Sequence, residues 1–140
     1  MMACNIDPTR EQFSKMMKFP DDGPIQMLNL IRFKEKASYE DGREATGADA
    51  YKTYGETSGP IFKRVGGKII FNGNPKVMVI GPEDERWDMC FVAEYPNAAA
   101  FGEMIANPDY QKAVKHRQAA VEDSRLIRLK PAEAGAGFAG

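Results

Sequence analysis

Cysteine is scarce in this 140-residue chain: Cys4 and Cys90 are the only two, and neither belongs to a CxxC or Cys/His ligand spacing. A disulfide framework and a zinc knuckle are therefore excluded, and a reducing compartment, the cytoplasm, is the expected location. No run of about eighteen apolar residues occurs, and the N-terminus lacks a charged segment leading into a long apolar one, so neither a membrane span nor a secretory leader is expected. Excess charge is absent as well. With 19 basic and 20 acidic residues the formal net charge is -1, which gives no basic footprint for nucleic acid or an anionic membrane. GxSxG, HExxH, GxGxxG and GK[ST] are all missing, which removes the common hydrolase, zincin, dinucleotide and nucleotide signatures. Only one histidine, His116, is present, so a multi-histidine metal centre cannot form within one chain.

What is present reads as a single domain with two appendages: a helical extension over 1–24, a central domain over 25–130 and a glycine-rich tail over 131–140. Asp7-Pro8 signals a helix start, and Phe13, Met16 and Met17 are spaced to bury one side of a short helix. Ile25 to Phe33 has strand composition, with Met27, Asn29, Ile31 and Phe33 on one face and Leu28, Leu30 and Arg32 on the other. Lys34 to Gly47 is a polar loop. From Ala48 to Val65 an amphipathic helix carries Tyr51, Tyr54, Ser58, Ile61, Phe62 and Val65 on one stripe, and Pro60 predicts a kink or restart near Gly59. KIIFNG and KVMVIG read as one long strand bent by a bulge, or else as a small hairpin. Trp87 to Tyr95 is a further strand, Pro96 and Asn97 open a helix, and Asn107-Pro108 starts another. The last helix aligns Tyr110, Val114, Arg117 and Val121, and Arg125 to Leu129 closes the chain as a strand.

The central order β-α-β-β-α-β is that of an α+β, ferredoxin-like sandwich: helices on one face of a four-stranded antiparallel sheet, preceded here by an N-terminal helix. Both faces of the strands carry apolar side chains, whereas the helices cover one. A second copy of the chain is the economical cover for the other face, so a homodimer is expected.

The segments MLNLIRF, PIFKRVGGKIIFNG, FVAEYPNAAAF and NPDYQKAVKHRQAAVEDSRLI resemble the domain of unknown function 1330 family, within the dimeric α+β barrel superfamily. The likeness spans roughly Ile25 to Leu129. It implies two sheets facing each other as a dimeric barrel, each with a lumen for a small molecule. It also implies a place among folds that serve cofactor-independent monooxygenases, muconolactone-type isomerases and haem-dependent enzymes.

The residues themselves nominate a ligand site rather than a catalytic signature. Arg117 sits on an apolar stripe, where a guanidinium needs a partner, and Glu94 near the end of the Trp87 strand is the expected one. Asn29 interrupts an apolar strand face, and its amide must find hydrogen bonds in the interior or with a ligand. Tyr51 and Tyr54 lie on a buried stripe with hydroxyls to place; Phe33 is assigned to core or interface beside them. These six residues, Asn29, Phe33, Tyr51, Tyr54, Glu94 and Arg117, are the candidate ligand-binding set. No metal or cofactor is expected, and the sequence assigns no catalytic residue. His116 flanks the Arg117 stripe and reads as a surface side chain rather than a haem ligand. The functional expectation is a homodimer binding a small, partly apolar molecule, with cofactor-independent oxygenase or isomerase chemistry, or else non-catalytic binding or sensing. A purely structural module would instead fill its interior and leave no cavity.

Overall fold

The computed structural model describes residues 4–138; residues 1–3 of the expected N-terminal extension and residues 139–140 of the expected tail lie outside it. Eight elements follow in the order α1 (Arg10–Lys18), β1 (Ile25–Phe33), α2 (Gly47–Arg64), β2 (Lys68–Gly73), β3 (Met89–Tyr95), α3 (Ala98–Ala106), α4 (Pro108–Ala120) and β4 (Val121–Leu129). The strands form one antiparallel sheet in the order β2-β3-β1-β4. This is the ferredoxin-like α+β arrangement, with an additional N-terminal helix. Among the described residues no helix is long and apolar enough to cross a membrane.

Local chemistry accounts for the helix boundaries. Thr9 and Gln12 form a reciprocal capping box at the start of α1, so the cap is Thr9 and the Asp7-Pro8 pair only leads into it. The side chains of Thr46, Asn97 and Asn107 accept from the first-turn amides of α2, α3 and α4. Pro60 does not restart α2, which runs as one helix of 18 residues.

Two strand boundaries differ from the sequence reading. Val121, expected on the stripe of α4, is the first residue of β4 and is wholly buried. Its helical spacing from Arg117 is coincidental, because a fully enclosed apolar residue fits helix and strand equally well. The KVMVIG segment does not extend β2: residues 74–88 are loop, with Val77, Val79 and Ile80 exposed. Apolar composition alone does not make a strand, and this segment finds no ladder partner among the described residues. The bulge that does occur lies inside β2, between Ile69 and Phe71.

The two faces of the sheet have different neighbours. Met27 and Ile31 of β1 and Ala93 and Tyr95 of β3 point towards α2, α3 and α4 and form the core with Ile61, Phe101, Met104 and Tyr110. On the other face Leu28 lies in register between Val92 and Ile127, with Leu30 beside Cys90. Leu28, Leu30, Cys90 and Val92 are half-buried, while Ile127 and Phe71 are 47% and 55% exposed. Among the described residues no helix covers this second face.

The N-terminal segment is strapped across the β4 edge by polar contacts. The backbone amide of Asn5 donates to Asp123, the Ser124 hydroxyl donates to the Asn5 carbonyl, and Arg128 donates to the carbonyls of Met16 and Asp21. Asp123 is 1% exposed and also accepts from the Ser124 amide and Arg125. Burial alone would push its carboxyl up; the amide of Asn5, the Arg125 guanidinium and the Ser124 amide outweigh that and hold it below the usual range. A depressed folded-state value means stability present above the unfolded value and lost as pH falls towards the folded one. Asp123→Asn is therefore expected to cost about 2 kcal/mol at neutral pH and to flatten the acid limb. Urea unfolding across the acid range checks both, and an unchanged acid limb would contradict the assignment.

Candidate functional site

Between the core-facing side of the sheet and the helices lies a cavity of about 1120 Å³. Its floor is Met27 and Asn29 of β1 and Phe91 and Ala93 of β3, its roof is α2 and α4, and one wall is the N-terminal segment through Ile6, Phe13 and Met16. The cavity thus lies within one chain, between a sheet and its own helices, and not between two facing sheets as the resemblance implied. Lys15 and Lys130, both well exposed, stand at its rim.

Helical spacing puts Tyr51, Tyr54 and Ser58 of α2 on the roof, and the same periodicity on α4 adds Tyr110, Val114 and Arg117. The Tyr54 and Tyr110 hydroxyls are 2.8 Å apart. The Tyr51 ring packs against Phe33 and Tyr54, each at 5.3 Å between ring centres. Ser58 is buried, and its hydroxyl donates to the Tyr54 carbonyl at 2.6 Å. The Asn29 amide donates to the Met27 carbonyl at 3.0 Å, which leaves its own carbonyl oxygen available at the floor.

Arg117 is held by the N-terminal segment. Its side chain, 13% exposed, donates to the Ile6 carbonyl, reaches the Ser124 hydroxyl at 3.3 Å and stands 3.7 Å from the Asp7 carboxylate. Glu94 is not its partner. Strand alternation turns Glu94 to the uncovered face, where it accepts from Gln26 at 2.9 Å and stands 3.5 Å from Lys68. The Gln26 hydrogen bond and the Lys68 ammonium overcome partial burial and hold the Glu94 carboxyl below the usual range, the reverse of what a buried general base would require.

Of the six sequence-nominated residues, Asn29, Tyr51, Tyr54 and Arg117 come together around the cavity, Phe33 backs Tyr51 from outside it, and Glu94 lies on the opposite face. Sequence reasoning does not nominate Tyr110, Phe91 or Ser58. For Tyr110 the signal is its place on the Arg117 stripe. His116 is outside the cavity, with its Nδ1 2.6 Å from the Tyr39 hydroxyl on the loop before α2. Desolvation is the main cause that pushes the phenols of Tyr51, Tyr95 and Tyr110 well above their ordinary value, so all three stay neutral donors at physiological pH. Among the described residues no cluster of three or more His, Cys, Asp or Glu side chains is placed to hold a metal ion.

Residues 42–129 match DUF1330, a domain of unknown function. The chain belongs to the DUF1330 family. RPA0582, a protein of unknown function from Rhodopseudomonas palustris, is 56% identical over 94% of this chain and 100% of its own, with a TM-score of 0.91. The methylated form of RPA0582 gives 57% identity, 96% and 99% coverage and a TM-score of 0.93. None of the curated proteins matches this DUF1330 chain. A likeness of fold alone extends to SnoaB, a cofactor-independent oxygenase from Streptomyces nogalater: 11% identity, 82% and 99% coverage, TM-score 0.53.

Proposed function

We propose that this DUF1330 protein is a homodimer that binds one small, partly apolar molecule per protomer in the cavity between its sheet and its helices. The observation that carries the reading is the cavity itself. At about 1120 Å³ it is somewhat roomier than the roughly 300–1,000 Å³ usual for small-molecule sites, and it joins apolar walls to a few grouped polar side chains, the usual composition of such sites. A structural module without a ligand would have closed this space, because interiors pack to high density. The uncovered sheet face, with Leu28, Leu30, Val92 and Ile127 adjoining one another, supports the second copy.

The second reading is a cofactor-independent oxygenase or isomerase working in the same cavity. The fold shared with SnoaB favours it, as do neutral phenols able to donate to a developing oxyanion. Against it, among the described residues no carboxylate or histidine lies at the Tyr54–Tyr110 end to take a proton, and Glu94, the expected partner of Arg117, faces away.

Native mass spectrometry of the intact protein tests the binding reading. The expected spectrum is a dimer that takes up naphthol to one molecule per protomer, with uptake competed by a bulkier aromatic. A monomer that takes up nothing would overturn it. Turnover of a bound conjugated substrate under oxygen, without added cofactor, separates the enzyme from the binder.

A further inference from the structure

The Tyr51 hydroxyl faces the cavity without a hydrogen-bond partner among the described residues. Tyr51 as a whole is 9% exposed. The hydroxyl opens onto the cavity rather than into packed interior, so it is free to donate to a molecule held there. Next to it the Tyr54 and Tyr110 hydroxyls share one hydrogen bond at 2.8 Å, which leaves one of the two protons free to donate elsewhere. Arg117 lines the same cavity, about two turns along α4 from Tyr110, and its charge opposes the upward push of burial on the phenols of both Tyr51 and Tyr110.

Resting on the binding reading above, we infer that Tyr51, the Tyr54–Tyr110 pair and Arg117 form a subsite for one anionic oxygen, so that the cavity takes a ring-sized apolar molecule in its enolate or phenolate form. Phenol donors supply single hydrogen bonds and converge on one acceptor atom. The guanidinium does not present a free two-pronged edge for a carboxylate, since its two terminal nitrogens are engaged with the Ile6 carbonyl and Ser124. It therefore acts as a nearby positive charge. The apolar body of the ligand lies against Met27, Phe91, Ala93 and Met104.

The charges that bear on this subsite are few. Arg117 comes from α4, and Asp7 of the N-terminal segment, 3.7 Å from it, is the one carboxylate within ion-pair distance among the described residues. From the sheet, Met27, Asn29 and Phe91 bring no charge. The other charged lining residues near the strapped edge are engaged elsewhere: Arg125 with Asp123, Lys130 with Asp21 and Lys15 with Glu11, while Arg128 donates to Met16 and Asp21 carbonyls.

The test uses the intact protein and para-nitrophenol, whose phenol and phenolate differ in colour and interconvert near neutral pH. Binding followed by absorbance across that pH range is expected to favour the phenolate about tenfold, which lowers the apparent pKa of the bound probe by about one unit. Tyr51→Phe keeps the ring packing against Phe33 and Tyr54 and removes only the unmatched hydroxyl. It is expected to melt near the wild-type temperature and to lose most of the phenolate preference. Absence of a preference in the wild type, a preference untouched by Tyr51→Phe, or benzoate bound as tightly as the phenolate would each overturn the subsite while naphthol binding stands. Failure of both naphthol and para-nitrophenol to bind would overturn the cavity reading as well.

Discussion

Gly47→Ala is expected to lower the free energy of unfolding by about 3 kcal/mol, the upper end of what overpacking costs, whereas Gly55→Ala in the same helix should raise it by about 0.5–1 kcal/mol. The two glycines differ only in their neighbours. A Cβ on Gly47 would lie 2.0 Å from the Lys34 carbonyl oxygen and 2.9 Å from that of Ala120. Neither oxygen can retreat easily. The Lys34 amide is bonded to the Ala120 carbonyl at 2.8 Å, and Ala120 and Val121 are completely enclosed. Here the start of α2 passes over the junction of α4 with β4, and the close approach of three backbones requires glycine. Gly55 is exposed, in ordinary helical conformation, with nothing within 4 Å of its would-be Cβ. There alanine only removes conformational freedom from the unfolded chain. Parallel urea titrations of the two variants decide the matter, and the same sign at both positions would refute the packing account.

Leu28→Lys should convert the proposed dimer to monomer at micromolar concentration. Leu28 lies at the middle of the uncovered face, between Val92 and Ile127, so in a face-to-face pair the ammonium would be desolvated without a partner, at a cost of several kcal/mol. In a monomer the same side chain would reach water along its own stem, and the stability change would be within about 0.5 kcal/mol. Sedimentation velocity on wild type and variant separates these outcomes. A wild-type chain that sediments as a monomer would show that this face meets no second copy.

The sequence made the order of elements legible, because the long amphipathic patterns of α2 and β1 and the Asn caps of α3 and α4 have few readings. It also brought out the polar members of the roof, since Tyr51, Tyr54 and Arg117 stand on stripes that could only turn inward. Three features were not legible. Which face of the sheet the helices cover is a tertiary choice; the alternation that separates Glu94 from Ala93 is plain in the chain, but not which side Arg117 occupies. The partner of Arg117 is a main-chain oxygen, that of Ile6, and every residue offers one. Residues 76–80 have strand composition and no strand, because pairing depends on what lies alongside.

The anchoring of the N-terminal segment has a consequence for variation. Arg117, Arg128 and Ser124 grip it by the carbonyls of Ile6, Met16, Asp21 and Asn5, atoms that persist whatever side chain is attached. Ile6, Phe13 and Met16 can therefore be exchanged for other shapes without loosening the grip. Under the proposed binding reading, preference for one ligand over another would drift there by single substitutions, leaving the tyrosine roof untouched, and grafting that stretch between homologues would transfer selectivity in one step.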